Sequence, residues 1–185
     1  GLRGGFIDNY SHYFLQGDGH HDLYEGTQEI WAQGRYFPEM MTERAVKFIT
    51  AHQDHPFFIY LAFNTPHYPE QPRPEDLKRF AHLPEPRRTY AAFLATTDTY
   101  IGRVLKQLDR LKLRDDTIVV FMGDNGHQSY ASYDFFAIKV DNHASGLPKG
   151  YRFSSGDGPN PGGGNTGKWL GSKGTFLEGG IRVPA

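Results

Sequence analysis

Apolar residues recur at helical spacing in two parts of the chain. The first part runs from Phe37 to about His52, and Pro38 suits its first helical turn. Its apolar stripe consists of Phe37, Met41, Ala45, Phe48 and Ile49. The second part runs from about Arg87 to Leu111, and its stripe consists of Phe93, Leu94, Thr97, Ile101, Val104, Leu105, Leu108 and Leu111. We therefore predict two amphipathic helices.

Two short apolar runs flank the second predicted helix. Residues 57–63 read Phe-Phe-Ile-Tyr-Leu-Ala-Phe, and residues 117–122 read Thr-Ile-Val-Val-Phe-Met. Runs of this length and composition are typical of strands that are covered on both faces. Residues 1–34 lack a clear period, and we expect irregular structure with short strands there. The order of strand, helix and strand predicts an α/β fold, with a mainly parallel sheet and helices on both faces.

Polar residues follow each predicted strand. His67 lies in the loop after the first strand, and residues 123–127 follow the second strand with the sequence Gly-Asp-Asn-Gly-His. In open sheets of this class, ligands bind at the carboxyl ends of the strands. The spacing therefore predicts one site built from the two loops.

The second loop offers two oxygen ligands. Asp124 supplies a carboxylate and Asn125 an amide carbonyl, which are the hard donors that Ca²⁺ or Mg²⁺ prefers. The same pair is also common in an ordinary Asx turn at the end of a strand. Both interpretations stay open on the spacing alone.

Three cationic or titratable side chains are candidates for contacting an anion. His67 is presented from a loop stiffened by Pro66 and Pro69, where it could bind an anion or act as a general acid or base. Lys173 lies among glycines, and its ammonium could neutralise an oxyanion. His127 adjoins the possible metal ligands and could touch a substrate. The alternatives are a loop histidine bonded to backbone and a solvated surface lysine.

Composition excludes several classes of protein. The 185 residues include 20 basic and 21 acidic side chains with no block of like charge, so nucleic acid is not an expected partner. The chain has no cysteine, which rules out thiolate chemistry within it. No apolar run approaches the roughly 20 residues that a membrane span needs.

A Gly- and Pro-rich stretch at about 128–172 is long enough to indicate a functional or disordered loop.

Three sequence motifs together resemble those of the sulfatase family. They are Thr-Pro-His-Tyr-Pro at 65–69, Gly-Asp-Asn-Gly-His at 123–127, and Lys-Gly-Thr-Phe-Leu-Glu-Gly-Gly-Ile-Arg-Val-Pro at 173–184. Their order and spacing are similar to those of arylsulfatase-like members of the alkaline-phosphatase superfamily, from about Phe37 to the end of the chain. The resemblance implies an alkaline-phosphatase-like core in which residues 1–185 are part of a single catalytic domain.

The resemblance also implies roles for the candidate residues. Asp124 and Asn125 would bind a divalent cation, usually Ca²⁺, while His67 and Lys173 would contact the sulfate and assist departure of the alcohol. In this family the nucleophile is a formylglycine made within a Cys/Ser-x-Pro-x-Arg motif, which residues 1–185 do not contain. We therefore expect an internal piece of a longer sulfuric ester hydrolase, inactive alone. A periplasmic, secreted or lysosomal location is also expected.

Two other functions remain open. A phosphodiesterase or phosphonate hydrolase of the same superfamily would use the same cation and donors, because phosphoryl and sulfuryl groups are both tetrahedral anions. A noncatalytic carbohydrate-binding module would instead use aromatic rings to stack on sugars. The candidate rings for that role are Tyr130, Tyr133, Phe135, Phe136, Tyr151 and Trp169.

Overall fold

A computed structural model describes residues 1–4, 9–11, 22–67, 70–127 and 166–183 of the chain. Three short strands precede four helices in these parts of the sequence. The strands are β1 (Leu2–Gly4), β2 (Leu23–Glu25) and β3 (Gln28–Glu29), and the helices are α1 (Phe37–Ala51), α2 (Pro74–Arg79), α3 (Arg87–Arg110) and α4 (Glu178–Ile181). No helix within these ranges is long and apolar enough to cross a membrane.

Both predicted amphipathic helices are confirmed, as α1 and α3. The two helices pack against each other. Their contacts include a hydrogen bond of 2.8 Å from Gln107 Nε2 to Thr50 Oγ1 and an ion pair of 3.1 Å between Arg103 and Glu39. Helix α3 buries Phe93, Thr97 and Leu108 of the predicted stripe, whereas Leu94 is exposed. Its buried face also includes Ala92, Thr96 and Tyr100, which the stripe did not contain.

The three strands form an antiparallel sheet in the order β1-β2-β3. This agrees with the short strands expected within residues 1–34. Leu23 of β2 joins the start of α1 in a hydrophobic cluster whose buried members are Leu23, Phe37, Met40 and Met41. Leu61 and Phe63 pack against this cluster from the segment after α1. The amino-terminal sheet is thereby attached to α1.

The predicted mainly parallel sheet is not found among the described residues. Residues 57–63 and 117–122 carry the sequence pattern of strands, but neither is paired in a described ladder. Exposure alternates along 57–63, as expected for one face packed inward, with Phe58 and Tyr60 on the open side. Residues 118–122 are exposed throughout. A strand needs a neighbour for its backbone N–H and C=O groups, and the described ranges provide none for these segments.

Helix α2 is joined to α3 through a buried carboxylate. Asp76 accepts hydrogen bonds from Arg73 Nη2 at 2.9 Å and from Thr96 Oγ1 at 2.7 Å. The Asp76 side chain is almost fully buried, and the Arg73 guanidinium lies over the ring of Tyr100 at 5.3 Å. A buried carboxylate must keep its partners, because an uncompensated charge is costly in a poorly solvated position. Asp76 therefore fixes where the segment after the His67 loop meets α3.

Replacing Asp76 tests this assignment. In the full-length protein we expect Asp76→Ala to lower the free energy of unfolding by about 2–3 kcal/mol, because it leaves Arg73 and Thr96 without their buried acceptor. Glu75→Ala is the matched control, since Glu75 also pairs with Arg73, at 3.2 Å, but is exposed. Its removal should cost less than about 1 kcal/mol. Denaturant unfolding of both variants measures the difference, and equal losses would contradict the assignment.

Candidate active site

Backbone hydrogen bonds join the loop of residues 123–127 to the segment that carries Lys173. The Gly126 N–H donates to the Gly180 carbonyl at 2.9 Å, and the Lys173 N–H donates to the His127 carbonyl at 3.0 Å. We call this pair of contacts the glycine junction. It brings Lys173 beside the loop that holds Asp124, Asn125 and His127, across the long Gly- and Pro-rich stretch of the sequence. Residues 128–165 of that stretch lie outside the described residues.

Glycines make the junction possible because the two backbones approach too closely for a side chain. A Cβ on Gly126 would lie 1.8 Å from the Gly179 carbonyl oxygen, and one on Gly180 would lie 2.3 Å from the Thr175 carbonyl oxygen. Gly171 adopts a φ of 95°, a backbone conformation that other residues rarely take. Gly126 is therefore required at the contact between the two segments, and Gly180 is required by the close packing of its own segment.

Lys173 lies in a tight turn next to the junction. The turn is closed by a hydrogen bond of 3.0 Å from the Thr175 N–H to the Ser172 carbonyl, and the Thr175 hydroxyl donates to the same carbonyl at 2.8 Å. Ser172 is buried, whereas Lys173 is half-buried. This arrangement holds the Lys173 backbone in place and leaves its long side chain partly accessible to solvent or to a ligand.

An open cleft of about 450 Å³ adjoins the glycine junction. Its walls combine backbone, polar and aromatic groups: Gly123, Asn125, Gly126, His127, Thr166, Trp169, Gly179, Arg182 and Val183. The Trp169 ring lies 4.2 Å from the Arg182 guanidinium carbon and 4.8 Å from Lys168 Nζ. Arg182 also pairs with Glu178. The cleft therefore offers a cation, an amide and an aromatic face to a polar ligand.

His67 is held in a separate loop that rests on the same helix as His127. The exposed His67 residue donates its backbone N–H to the Asn64 carbonyl at 3.0 Å. Two residues earlier, the buried Thr65 hydroxyl is bonded to Thr97 of α3 at 2.7 Å. The rings of Tyr90, also on α3, and His127 meet edge to face at 6.1 Å.

The spacing along α3 relates the two loops to each other. Tyr90 and Thr97 are seven residues apart, which is about two helical turns, so they lie on the same side of α3 roughly 10 Å from each other. Burial raises the pKa of Tyr90, and the carboxylate of Glu70, just after the His67 loop, raises it further. Tyr90 thus contacts His127 of the second loop and lies about two helical turns from the residue of α3 that bonds to the His67 loop. Sequence reasoning did not identify it, because it lies within a helix and apart from any motif.

Asp124 and Asn125 provide part of a possible metal site. They are adjacent in a bend, with Asp124 exposed and Asn125 half-buried, and both carry the oxygen donors that Ca²⁺ prefers. The described residues contain no group of three or more His, Cys, Asp or Glu side chains that could hold a metal. Ca²⁺ takes about six to eight oxygen ligands, so these two residues fit the ion chemically and cannot complete its shell by themselves.

Comparison with known proteins identifies the family to which this chain belongs. The family model for sulfatases matches residues 3–185, and the chain belongs to the sulfatase family. It is 30% identical over 182 residues to arylsulfatase J from Mus musculus, covering 95% of this chain and 25% of that protein. It is also 30% identical over 132 residues to an N-acetylgalactosamine-6-O-sulfatase from Bacteroides thetaiotaomicron, covering 70% of this chain and 25% of that protein.

A solved structure is similar over most of the chain. The crystal structure of Ps i-CgsB in complex with k-i-k-neocarrahexaose matches with a TM-score of 0.63 and 28% identity, covering 88% of this chain and 30% of that one. The chain spans about a quarter of the length of the curated relatives it matches. The resemblance inferred from the three motifs is therefore confirmed at the level of the family, whose alkaline-phosphatase-like α/β fold the described residues represent in part.

The glycine junction can be tested without an activity assay. We expect Gly126→Ala to open the junction, because its Cβ would collide with the Gly179 carbonyl, whose position is itself fixed by backbone contacts. Hydrogen exchange followed by mass spectrometry should then show faster exchange in residues 123–127 and 170–180. Gly102→Ala is the control, since nothing lies within 4 Å of a Cβ at that helical position. Unchanged exchange in Gly126→Ala would show that the junction is absent in solution.

Proposed function

We propose that the full-length protein hydrolyses sulfate esters, converting R-O-SO₃⁻ and water into an alcohol and sulfate. The observation that carries this proposal is the glycine junction, which holds Lys173 beside the loop of Asp124, Asn125 and His127. Family membership supports the sulfatase class. The arrangement suits the chemistry, because a tetrahedral anion is stabilised by donors and cations that are fixed before the reaction.

Asp124 and Asn125 are proposed as ligands of a divalent cation, Ca²⁺ or Mg²⁺. Their oxygens would supply part of its coordination shell, and the remaining ligands would come from elsewhere in the protein. When bound, such a cation orients a sulfate group and stabilises negative charge on its oxygens. Asn125 lines the cleft, and the exposed Asp124 precedes it in the same bend.

Lys173 and His67 are proposed as the groups that contact the sulfate and assist the departure of the alcohol. The Lys173 ammonium would neutralise charge on the sulfate oxygens. His67 would donate a proton to the leaving alkoxide, a role for which an imidazole has a suitable pKa range. His127, which lines the cleft, would contact the substrate. The nucleophile is proposed to be a formylglycine, which would have to lie outside residues 1–185.

The cleft favours a sulfated carbohydrate or an aryl sulfate as substrate. Trp169 and Arg182 line it, and an aromatic ring beside a cation suits a ring-shaped polar ligand that carries a negative charge. The Bacteroides thetaiotaomicron relative is named for a sulfated amino sugar. A phosphate ester would suit the same donors, so paired sulfate and phosphate substrates should be compared. The other aromatic residues considered for a noncatalytic sugar module lie outside the described residues.

The proposed metal ligand gives a direct test. We expect Asp124→Ala in the full-length protein to abolish bound Ca²⁺, because the shell loses both a charge and an oxygen. Asp115→Ala is the control, since Asp115 is an exposed carboxylate outside the two loops. Elemental analysis after gel filtration measures metal content. Full calcium occupancy in Asp124→Ala would remove Asp124 from the proposed ligand set.

The proposed catalytic groups give a second test. We expect His67→Ala and Lys173→Ala each to lower kcat for an aryl sulfate by about 100-fold or more, because each removes a group that acts on the developing charge. Thermal unfolding should change little, since loop residues contribute little to a core. His55→Ala and Lys106→Ala are matched controls outside both loops. Parallel losses of stability and activity would instead mark His67 and Lys173 as structural.

A further inference from the structure

Three amide side chains form a buried cluster beneath the loop that carries His67. The Asn9 N–H donates to Gln71 Oε1 at 2.8 Å, and Asn64 Nδ2 donates to Asn9 Oδ1 at 2.7 Å. Asn9 is completely buried and Gln71 is 1% exposed, while Asn64 is half-buried. We call Asn9, Asn64 and Gln71 the amide cluster. It joins the segment at Asn9 to the segments at Asn64 and Gln71, which lie 55 and 62 residues later in the sequence.

The amide cluster is anchored to the start of α1. The Phe37 N–H donates to the Asn9 carbonyl at 2.7 Å, and the Tyr36 hydroxyl donates to the Gln71 carbonyl at 2.8 Å. Phe37 and Tyr36 are both buried. The cluster therefore has a fixed position relative to the hydrophobic cluster at the start of α1.

The amide cluster is also connected to His67 through Asn64. The Asn64 side chain bonds to Asn9, and its backbone carbonyl accepts the His67 N–H at 3.0 Å. The intervening Thr65 is bonded to Thr97 of α3 at 2.7 Å. The loop is thus held at two points, by the cluster on one side and by α3 on the other.

The amide cluster is an inefficient way to stabilise a fold. Asn64 Oδ1 and Gln71 Nε2 are buried and have no hydrogen-bond partner in the part of the chain that the structure describes. An unpaired buried polar atom costs free energy, whereas apolar residues of similar size would avoid that cost. Polar groups kept at such a cost are expected near functional sites, where geometry matters more than stability.

We infer that Asn9, Asn64 and Gln71 are positioning residues that set the location of His67 for the proposed reaction. This inference rests on the proposed function. The amide cluster fixes the backbone of residue 64, and residue 64 in turn fixes the backbone of His67 by a hydrogen bond. A displacement of about 1 Å in a group that transfers a proton can lower turnover by up to roughly 100-fold.

Gln71→Met tests the inference in the full-length protein. It keeps the volume of the side chain and removes the acceptor of the Asn9 N–H. We expect kcat for an aryl sulfate to fall about tenfold or more, with KM nearly unchanged. The apparent pKa of the limb of the pH–kcat profile that reports on His67 should also shift. Thr42→Val is the matched control, because Thr42 is completely buried and its hydroxyl donates to the Pro38 carbonyl within α1, away from the His67 loop.

A double variant separates positioning from a general loss of structure. If Gln71 acts through His67, then adding Gln71→Met to His67→Ala should cause no further loss of kcat. A further loss equal to that of the single Gln71→Met variant would overturn the inference. Equal effects of Gln71→Met and Thr42→Val on kcat would also overturn it. If Gln71→Met does not fold, Asn64→Ala, at a half-buried position, takes its place in both comparisons.

Failure of the proposed function would give different results from failure of the positioning role alone. If the unmodified full-length protein releases no sulfate from an aryl sulfate, the proposed function fails and the inference fails with it. If it does release sulfate but His67→Ala keeps full turnover, the proposed role of His67 and the inference are both overturned. If His67→Ala lowers kcat while Gln71→Met and Asn64→Ala do not, the role of His67 stands and only the role of the amide cluster is overturned.

Discussion

Hydroxyl groups on α3 determine how the surrounding segments are arranged. Thr96 is completely buried and bonds to Asp76, while the next residue, Thr97, bonds to Thr65. Both hydroxyls also lie within hydrogen-bonding distance of the carbonyl four residues earlier, as threonine in a helix commonly does. Two consecutive positions on one helix therefore fix α2 and the His67 loop relative to each other. A purely apolar contact would set such an orientation less sharply, because it has no preferred direction.

The candidate site is held by two different kinds of contact. Side-chain amides and hydroxyls hold the His67 loop, whereas backbone hydrogen bonds between glycine-containing segments hold Lys173 against the second loop. Helix α3 contacts both parts, the His67 loop through Thr97 and the second loop through Tyr90. About two turns of α3 therefore connect the two parts of the candidate site.

Local patterns in the sequence predicted helices α1 and α3 and the family, while the roles of the motif residues stay predictions. Periodicity was sufficient for α1 and α3, but α2 spans six residues and is too short to show a repeat. The strand pattern of residues 57–63 and 117–122 is visible in sequence, yet pairing depends on neighbours that no local pattern identifies. The amide cluster joins Asn9 to Gln71 across 62 residues, so no spacing rule could have found it. The glycines around Lys173 are visible in the sequence, but the segment that they meet is not, because contacts between backbones leave no complementary side chains in the sequence.

The backbone character of the glycine junction has a consequence for how such proteins can diversify. Trp169 and Val183 line the adjoining cleft, but neither takes part in the two hydrogen bonds that close the junction. Substitutions at these cleft positions could therefore reshape the cavity while Lys173 stays in register with His127. New ligand preferences could then arise by point mutation in the cleft, without a compensating change in the residues that are proposed to bind the anion.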